Sequence, residues 1–184
     1  MAQDPPPAVP RRPLGKTGAT VSILGVGGHH LGDLPTTDAA TRLVHEAIEA
    51  GLTFFDNCWE YWNGRAEVWL GNALKGKRDK VFLMTKVCTH GRGKDVALRM
   101  LEESLTRLRT DHLDLWQAHA MGFDNDPDLA YAKGGVLEAF ELAKKQGKVR
   151  FVGFTGHKNP LVHLDMVRRG FPFDAVQMPL NPFD

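Results

Sequence analysis

The chain is poor in cysteine, poor in net charge and free of long apolar runs. Two cysteines, Cys58 and Cys88, among 184 residues are too few to staple a secreted disulfide scaffold. They suit a reducing compartment, so a cytoplasmic location is expected. Lysine and arginine total 23 against 22 aspartate and glutamate, and a formal net charge of +1 offers no bulk attraction to nucleic acid or to an acidic membrane. No stretch of about 18 apolar residues occurs, and Arg11-Arg12 runs into Pro13-Leu14-Gly15-Lys16 rather than into an apolar core. Neither a membrane span nor a signal peptide is expected. The glycines and prolines follow no three-residue period, which excludes a collagen-like chain, and a hydrophobic share of 42% excludes a disordered one. The length suits one domain on a prior of ~150 residues per domain.

What the sequence does contain is an alternation of short apolar runs with amphipathic stretches. Residues 1–13 carry five prolines and read as a flexible leader whose backbone stays out of sheets and helix interiors, leaving 14–184 as the domain. The apolar runs are Val21–Val26, Thr53–Phe55, Val81–Met84, Leu113–Trp116, Val149–Phe154 and Ala175–Gln177, and they predict six strands. Between them, Ala40, Leu43, Val44, Ala47 and Ile48 recur at helical spacing, with Thr37 as the expected cap and Gly51 as the stop. A shorter helix is predicted near Arg65–Lys75. Others carry Val96, Met100, Leu101, Leu105 and Leu108, then Val136, Leu137, Phe140 and Ala143, and the last opens at Asn159-Pro160.

Strand followed by helix, repeated five times, predicts an α/β fold with a mainly parallel sheet and helices outside. A doubly wound nucleotide-binding fold would show a glycine-rich turn after the first strand, and Gly25-Val26-Gly27-Gly28-His29-His30 matches G-x-G-x-x-G only in part. A barrel places its chemistry at the carboxyl ends of successive strands. Those ends deliver Asp56, Lys86, Gln117 with His119, Thr155 and Gln177. One polar residue where a strand meets solvent is ordinary, but a carboxylate, an ammonium and an imidazole at one mouth would perturb each other's protonation, as acid-base chemistry requires. Tyr61, one of two tyrosines, follows Asp56 within the same loop.

Together these residues resemble the aldo-keto reductase family. The resemblance rests on Arg12 to Gly18, on Phe55-Asp56 with Tyr61 and Gly64-x-x-Glu67-x-x-Leu70-Gly71, on Thr85-Lys86, on Asp114-Leu115-x-x-x-His119, on Val152 to Thr155, and on Gln177-x-x-x-Asn181. It implies a (β/α)8 TIM-barrel oxidoreductase that interconverts carbonyls and alcohols with NADP(H), or with NAD(H). It implies catalytic roles for Asp56, Tyr61, Lys86 and His119, with Tyr61 as proton donor, its pKa lowered by Lys86, which Asp56 in turn holds. Gly28, Asp56, Thr155 and Gln177 are the implied cofactor contacts. Where the family commonly has Ser-Asn after its fifth strand, this chain has Thr155-Gly156-His157, keeping a hydroxyl and losing the amide.

A complete barrel takes about 250 residues and eight strands. The sequence holds about five βα units and a sixth strand, an incomplete barrel, so this chain by itself is expected to grip a dinucleotide weakly, to turn over slowly and to self-associate through open sheet edges. Trp59, Trp62 and Phe123 suggest an apolar or aromatic carbonyl substrate. Two rivals stand beside this reading. One is a non-catalytic binding or regulatory protein on a truncated reductase scaffold. The other, a metal-dependent hydrolase drawing on Asp56, His29, His30, His90 and His119, lacks a spaced His-x-His pair, and no metal is expected.

Overall fold

Successive side chains of a β-strand point to opposite faces, so a strand buried on both sides sorts its residues into two cores. The computed structural model, which describes residues 9–88 and 90–182, shows this sorting around a curled parallel sheet. Its strands are β3 (Gly25–Gly27), β4 (Phe54–Asp56), β5 (Phe82–Val87), β6 (Leu113–Ala118), β7 (Val149–Thr155) and β8 (Ala175–Gln177), joined in that order. Phe54, Phe82, Met84, Leu115, Phe151 and Ala175 point to the concave side and pack with Val21. The rings of Phe82 and Phe151 stack at 6.2 Å, and those of Phe54 and Phe82 meet at 5.5 Å.

The alternate residues of the same strands face outward. Phe55, Leu83, Val87, Trp116, Val152 and Phe154 meet the helices in a second, larger core, where Trp116 lies edge-on to Phe140 at 5.0 Å. Those helices are α2 (Thr37–Glu49), α3 (Arg65–Ala73), α4 (Lys94–Leu108), α6 (Val136–Lys145) and α7 (Pro160–Arg168), with short α1 (Gly28–Asp33) and α5 (Asp126–Tyr131) set in loops after β3 and β6. The architecture is that of a (β/α)8 barrel with six of its strands present. None of the described helices is long and apolar enough to cross a membrane.

Several local expectations change. The run Val21–Val26 is two elements, because Thr20–Ser22 forms β2 of a hairpin while β3 begins only at Gly25, with Ile23 and Leu24 exposed between them. The partner of β2 is β1 (Arg11–Pro13), antiparallel to it, so the part of the proline-rich leader read as unable to join a sheet does join one. Pro13 stands at the end of a two-stranded ribbon, where a missing donor is tolerated. This hairpin carries Val21 into the concave core. Residues 1–8 lie outside the described residues. The short α1 and α5 were not predicted, since six residues are too few to show a period.

The cap of α2 also moves by one. Thr36, not Thr37, is the N-cap, and its hydroxyl accepts from the Ala39 amide at 3.1 Å. Gly51 ends the helix as expected, at φ 90°, a left-handed angle that glycine adopts without cost. Thr36→Ala should therefore cost about 1 kcal/mol in urea unfolding, while Thr37→Ala stays within ~0.5 kcal/mol. Equal effects of the two would overturn the cap assignment.

Candidate active site

Two residues beyond the apolar layer, the concave positions turn polar. Phe54 is followed at this spacing by Asp56, Met84 by Lys86, Leu115 by Gln117 and Ala175 by Gln177. Gly153 takes the corresponding place on β7, where a Cβ would stand 2.4 Å from the Ala175 carbonyl oxygen and 3.1 Å from Gln117 Oε1. Parallel registry sets these groups side by side, with Lys86 opposite Gln117, Gln117 opposite Gly153 and Thr155 opposite Gln177.

Lys86 is the hub. Its side chain is 2% exposed, and Nζ donates to Asp56 Oδ1, to the Asn57 carbonyl at 2.8 Å and to Tyr61 Oη at 3.4 Å. Burial is the strongest single influence and pulls the ammonium's pKa down, but the charge of Asp56, with Tyr61, Cys58 and the Asp56 hydrogen bond added to it, holds the pKa above the ordinary lysine value. Lys86 is therefore charged at neutral pH. The other Asp56 oxygen accepts from Gln177 Nε2 at 3.1 Å, and Gln177 Oε1 accepts from Gln117 Nε2 at 3.0 Å.

Tyr61 reaches this hub from outside the sheet. It opens a tight turn, Tyr61–Gly64, in which Trp62 and Asn63 both have φ of 53° and Gly64 has φ of 86°. Left-handed backbone costs a tryptophan on the order of 1–2 kcal/mol and an asparagine less, so neighbouring contacts must hold it. Trp62 Nε1 donates to the His29 carbonyl at 2.8 Å, and Arg65 donates twice to the Gly32 carbonyl, pinning the turn to α1. The phenol ring stands edge-on between His29 and His119, at 5.4 and 5.9 Å. Burial pushes its pKa up and Lys86 pulls it back, with the balance above the ordinary tyrosine value. The expectation of a lysine lowering this pKa holds for the direction of the Lys86 effect but not for the sum.

His119 follows β6 and hangs from the Val87 carbonyl by its backbone amide. Its Nδ1 is hydrogen-bonded to Glu60 Oε1 and lies 3.3 Å from Cys58 Sγ. That hydrogen bond is the largest influence on Glu60 and holds its carboxyl below the usual range, against the opposing effect of burial.

The structure thus gathers Asp56, Tyr61, Lys86, His119 and Gln177 at one mouth. Thr155 is buried beside them, with Oγ1 accepting from the Ala120 amide at 2.9 Å, so it also fixes the loop that carries His119. Gly28 lies at the end of β3 for a packing reason: a Cβ there would stand 2.6 Å from Asn57 Cγ and 2.8 Å from the Asp56 carbonyl oxygen. Trp59 departs from the expected aromatic pocket. Its Nε1 donates to Glu103 at 2.7 Å and Arg107 covers its ring, so it packs towards α4. Trp62 and Phe123 are exposed.

Sequence reasoning missed Glu60 and Asn57, because it examined strand ends and the tyrosine but passed over the residues between them. An acid directly before Tyr61 was the available signal. The imagined metal set does not form around Asp56, which is committed to Lys86. Cys58, Glu60 and His119 have ligand atoms within 4.8 Å of one another and touch one another directly, with Cys58 Sγ 3.3 Å from His119 Nδ1 and 3.8 Å from Glu60 Oε1. The contacts of the three are those of a hydrogen-bonded cluster.

Comparison with known proteins bears on the family of the chain. The model of the Aldo/keto reductase family matches residues 23–184. L-galactose dehydrogenase of Arabidopsis thaliana is 32% identical over 155 residues, covering 79% of this chain and 48% of that protein. The holo form of an aldo-keto reductase from Bacillus halodurans superposes with a TM-score of 0.80 at 30% identity, over 92% of this chain and 57% of its own. An aldo/keto reductase from Klebsiella pneumoniae, solved in complex with NADP and acetate, gives a TM-score of 0.65 at 32% identity, over 75% of this chain and 47% of its own. The chain spans about half the length of the curated relatives it matches.

Proposed function

This chain belongs to the aldo/keto reductase family, and on that premise we propose that its polar mouth reduces aldehydes and ketones to alcohols with NADP(H). The observation that carries the reading is Lys86 Nζ donating both to the Asp56 carboxylate and, at 3.4 Å, to Tyr61 Oη. Since Lys86 fills the acceptor side of the phenol, the phenol's own proton is free for a substrate oxygen. That is the geometry a proton donor needs.

When bound, the nicotinamide supplies the hydride. Gln177 offers both a donor and an acceptor beside Asp56, a fit for a carboxamide, and we place Gln177, Thr155, Asp56 and Gly28 around that end of the cofactor. In the reduction, Tyr61 gives its proton to the oxygen that gains charge, and His119 hydrogen-bonds the same oxygen. Lys86 stabilises the phenolate left behind, and Asp56 keeps Lys86 charged and in place. Trp62, exposed with its ring 5.9 Å from that of His29, and Phe123, exposed on the loop after β6, support apolar or aromatic carbonyl compounds as substrates. The cytoplasm, where two buried free thiols stay reduced, is the compartment we assign.

Titrating NADPH against the protein by fluorescence, and following its consumption with a panel of aldehydes, ketones and keto acids, tests the reading. Weak but saturable binding and slow aldehyde-dependent consumption are expected of this chain by itself. Gln177→Ala should weaken binding about 2- to 12-fold, the value of one neutral hydrogen bond. Binding without any turnover would favour a binding protein on a reductase scaffold, and no binding would overturn the assignment.

A further inference from the structure

Both contacts that the His119 ring makes to polar side chains fall on one nitrogen. Nδ1 faces Glu60 Oε1 and Cys58 Sγ, the latter at 3.3 Å, whereas no described residue bonds Nε2. A carboxylate only accepts, so the proton between the ring and Glu60 sits on Nδ1. A neutral imidazole carries one proton. With it held on Nδ1, Nε2 has a lone pair and cannot donate to a carbonyl oxygen.

We propose that Glu60 is a positioning residue that fixes the protonation of His119, so that Nε2 becomes a hydrogen-bond donor to the substrate oxygen only when the ring carries its second proton. The inference rests on the reductase reading above and deepens it. During reduction, the oxygen takes its new proton from Tyr61 while the Nε2–H holds that oxygen by a hydrogen bond, and the imidazolium charge is balanced by Glu60. A neutral ring turns a lone pair towards the same oxygen and opposes the charge developing there. Reduction therefore requires the imidazolium.

The groups around the ring are consistent with this sign. Glu60 is held ionised, its pKa below the usual range because of the His119 hydrogen bond, with burial opposing and His90, on the loop after β5, adding a pull in the same direction. The Cys58 thiol, pushed up by burial, stays protonated and brings no second negative charge to Nδ1. Tyr61, edge-on at 5.9 Å, is neutral, and the Lys86 charge is paired with Asp56. Cys88 also keeps its proton, pushed up by burial. Glu60 is the anion on this ring among the described residues.

The variant that separates this role from plain structure is Glu60→Gln. Its amide can donate to Nδ1, which lets a neutral His119 carry the proton on Nε2 instead. Protein labelled with 15N-histidine, observed through long-range proton–nitrogen correlations and assigned with His119→Gln, reports the tautomer without any turnover. The expected result is Nδ1–H for the neutral ring in the wild type and in Glu60→Asp, and a shift to Nε2–H in Glu60→Gln. In the pH dependence of kcat/KM for reduction, the wild type should lose rate as pH rises and the second proton leaves the ring, and Glu60→Gln should depend less on pH over the same range. A wild-type neutral ring protonated on Nε2 would overturn the proposal. So would His119 signals that move with one equivalent of Zn2+ in the wild type but not in Cys58→Ala, since the three ligand atoms would then form a metal site. A protein that shows the expected tautomers but never consumes NADPH would instead count against the reductase reading.

Discussion

Tyr61→Phe is expected to lower kcat for carbonyl reduction by about 10²- to 10⁴-fold, the range over which a positioned proton donor contributes. The fold should hardly register the change. The lost hydroxyl accepts one long hydrogen bond, 3.4 Å from Lys86, and the ring keeps its edges against His29 and His119. Unfolding in urea should stay within ~1 kcal/mol of the wild type. NADPH binding should also persist, because Gln177 and Asp56 are untouched. The split between retained binding and lost turnover is the discriminating result, since a structural tyrosine would lose both together. Turnover like that of the wild type would remove Tyr61 from the chemistry and leave His119 to be tested as the donor.

The reason so much of this site could be read from sequence is the two-residue period of its strands. Asp56, Lys86, Gln117 and Gln177 each follow a concave-facing apolar residue by two positions, so counting along the apolar runs leads to the mouth directly. Tyr61 needed a further argument, because it stands off the sheet and its aim depends on left-handed Trp62 and Asn63; asparagine favours that conformation, but tryptophan does not, and one asparagine in a loop does not announce the turn. Glu60 was harder still. Its importance lies in a contact with His119, 59 residues away in sequence, which neither period nor local composition carries.

The errors in the fold have a similar cause. Val21–Val26 has the apolar character of one strand, yet its first half answers to Arg11–Pro13 and its second half to β4, and only the pairing partners divide it. Proline content argued against a paired leader because a central strand cannot spare donors. A two-stranded hairpin at the base of the barrel makes no such demand. Thr36 and Thr37 are chemically identical candidates for a cap, and which of them precedes the first helical turn is decided by backbone geometry.

Lys86→Met should be the most damaging single change at the mouth, because it acts on stability and chemistry together. Removing one member of a buried ion pair leaves the other unpaired, at a cost of about 3–5 kcal/mol. Asp56 is 20% exposed and keeps a hydrogen bond from Gln177, so the lower end, ~3 kcal/mol, is expected. The double variant Asp56→Asn/Lys86→Met removes the stranded charge and should recover ~1–2 kcal/mol, a coupling of the size found between contacting residues. Activity should not return with it. Lys86 is what pulls the buried phenol's pKa down, so without it Tyr61 is a weaker acid, poorer at donating in reduction. The reverse reaction, which needs the phenolate as base, should shift to higher pH in any variant lacking Lys86. Urea unfolding of the two variants, set beside their reduction and oxidation rates across pH, separates the effects. A Lys86→Met protein within ~0.5 kcal/mol of the wild type would show that the ion pair does not organise this mouth.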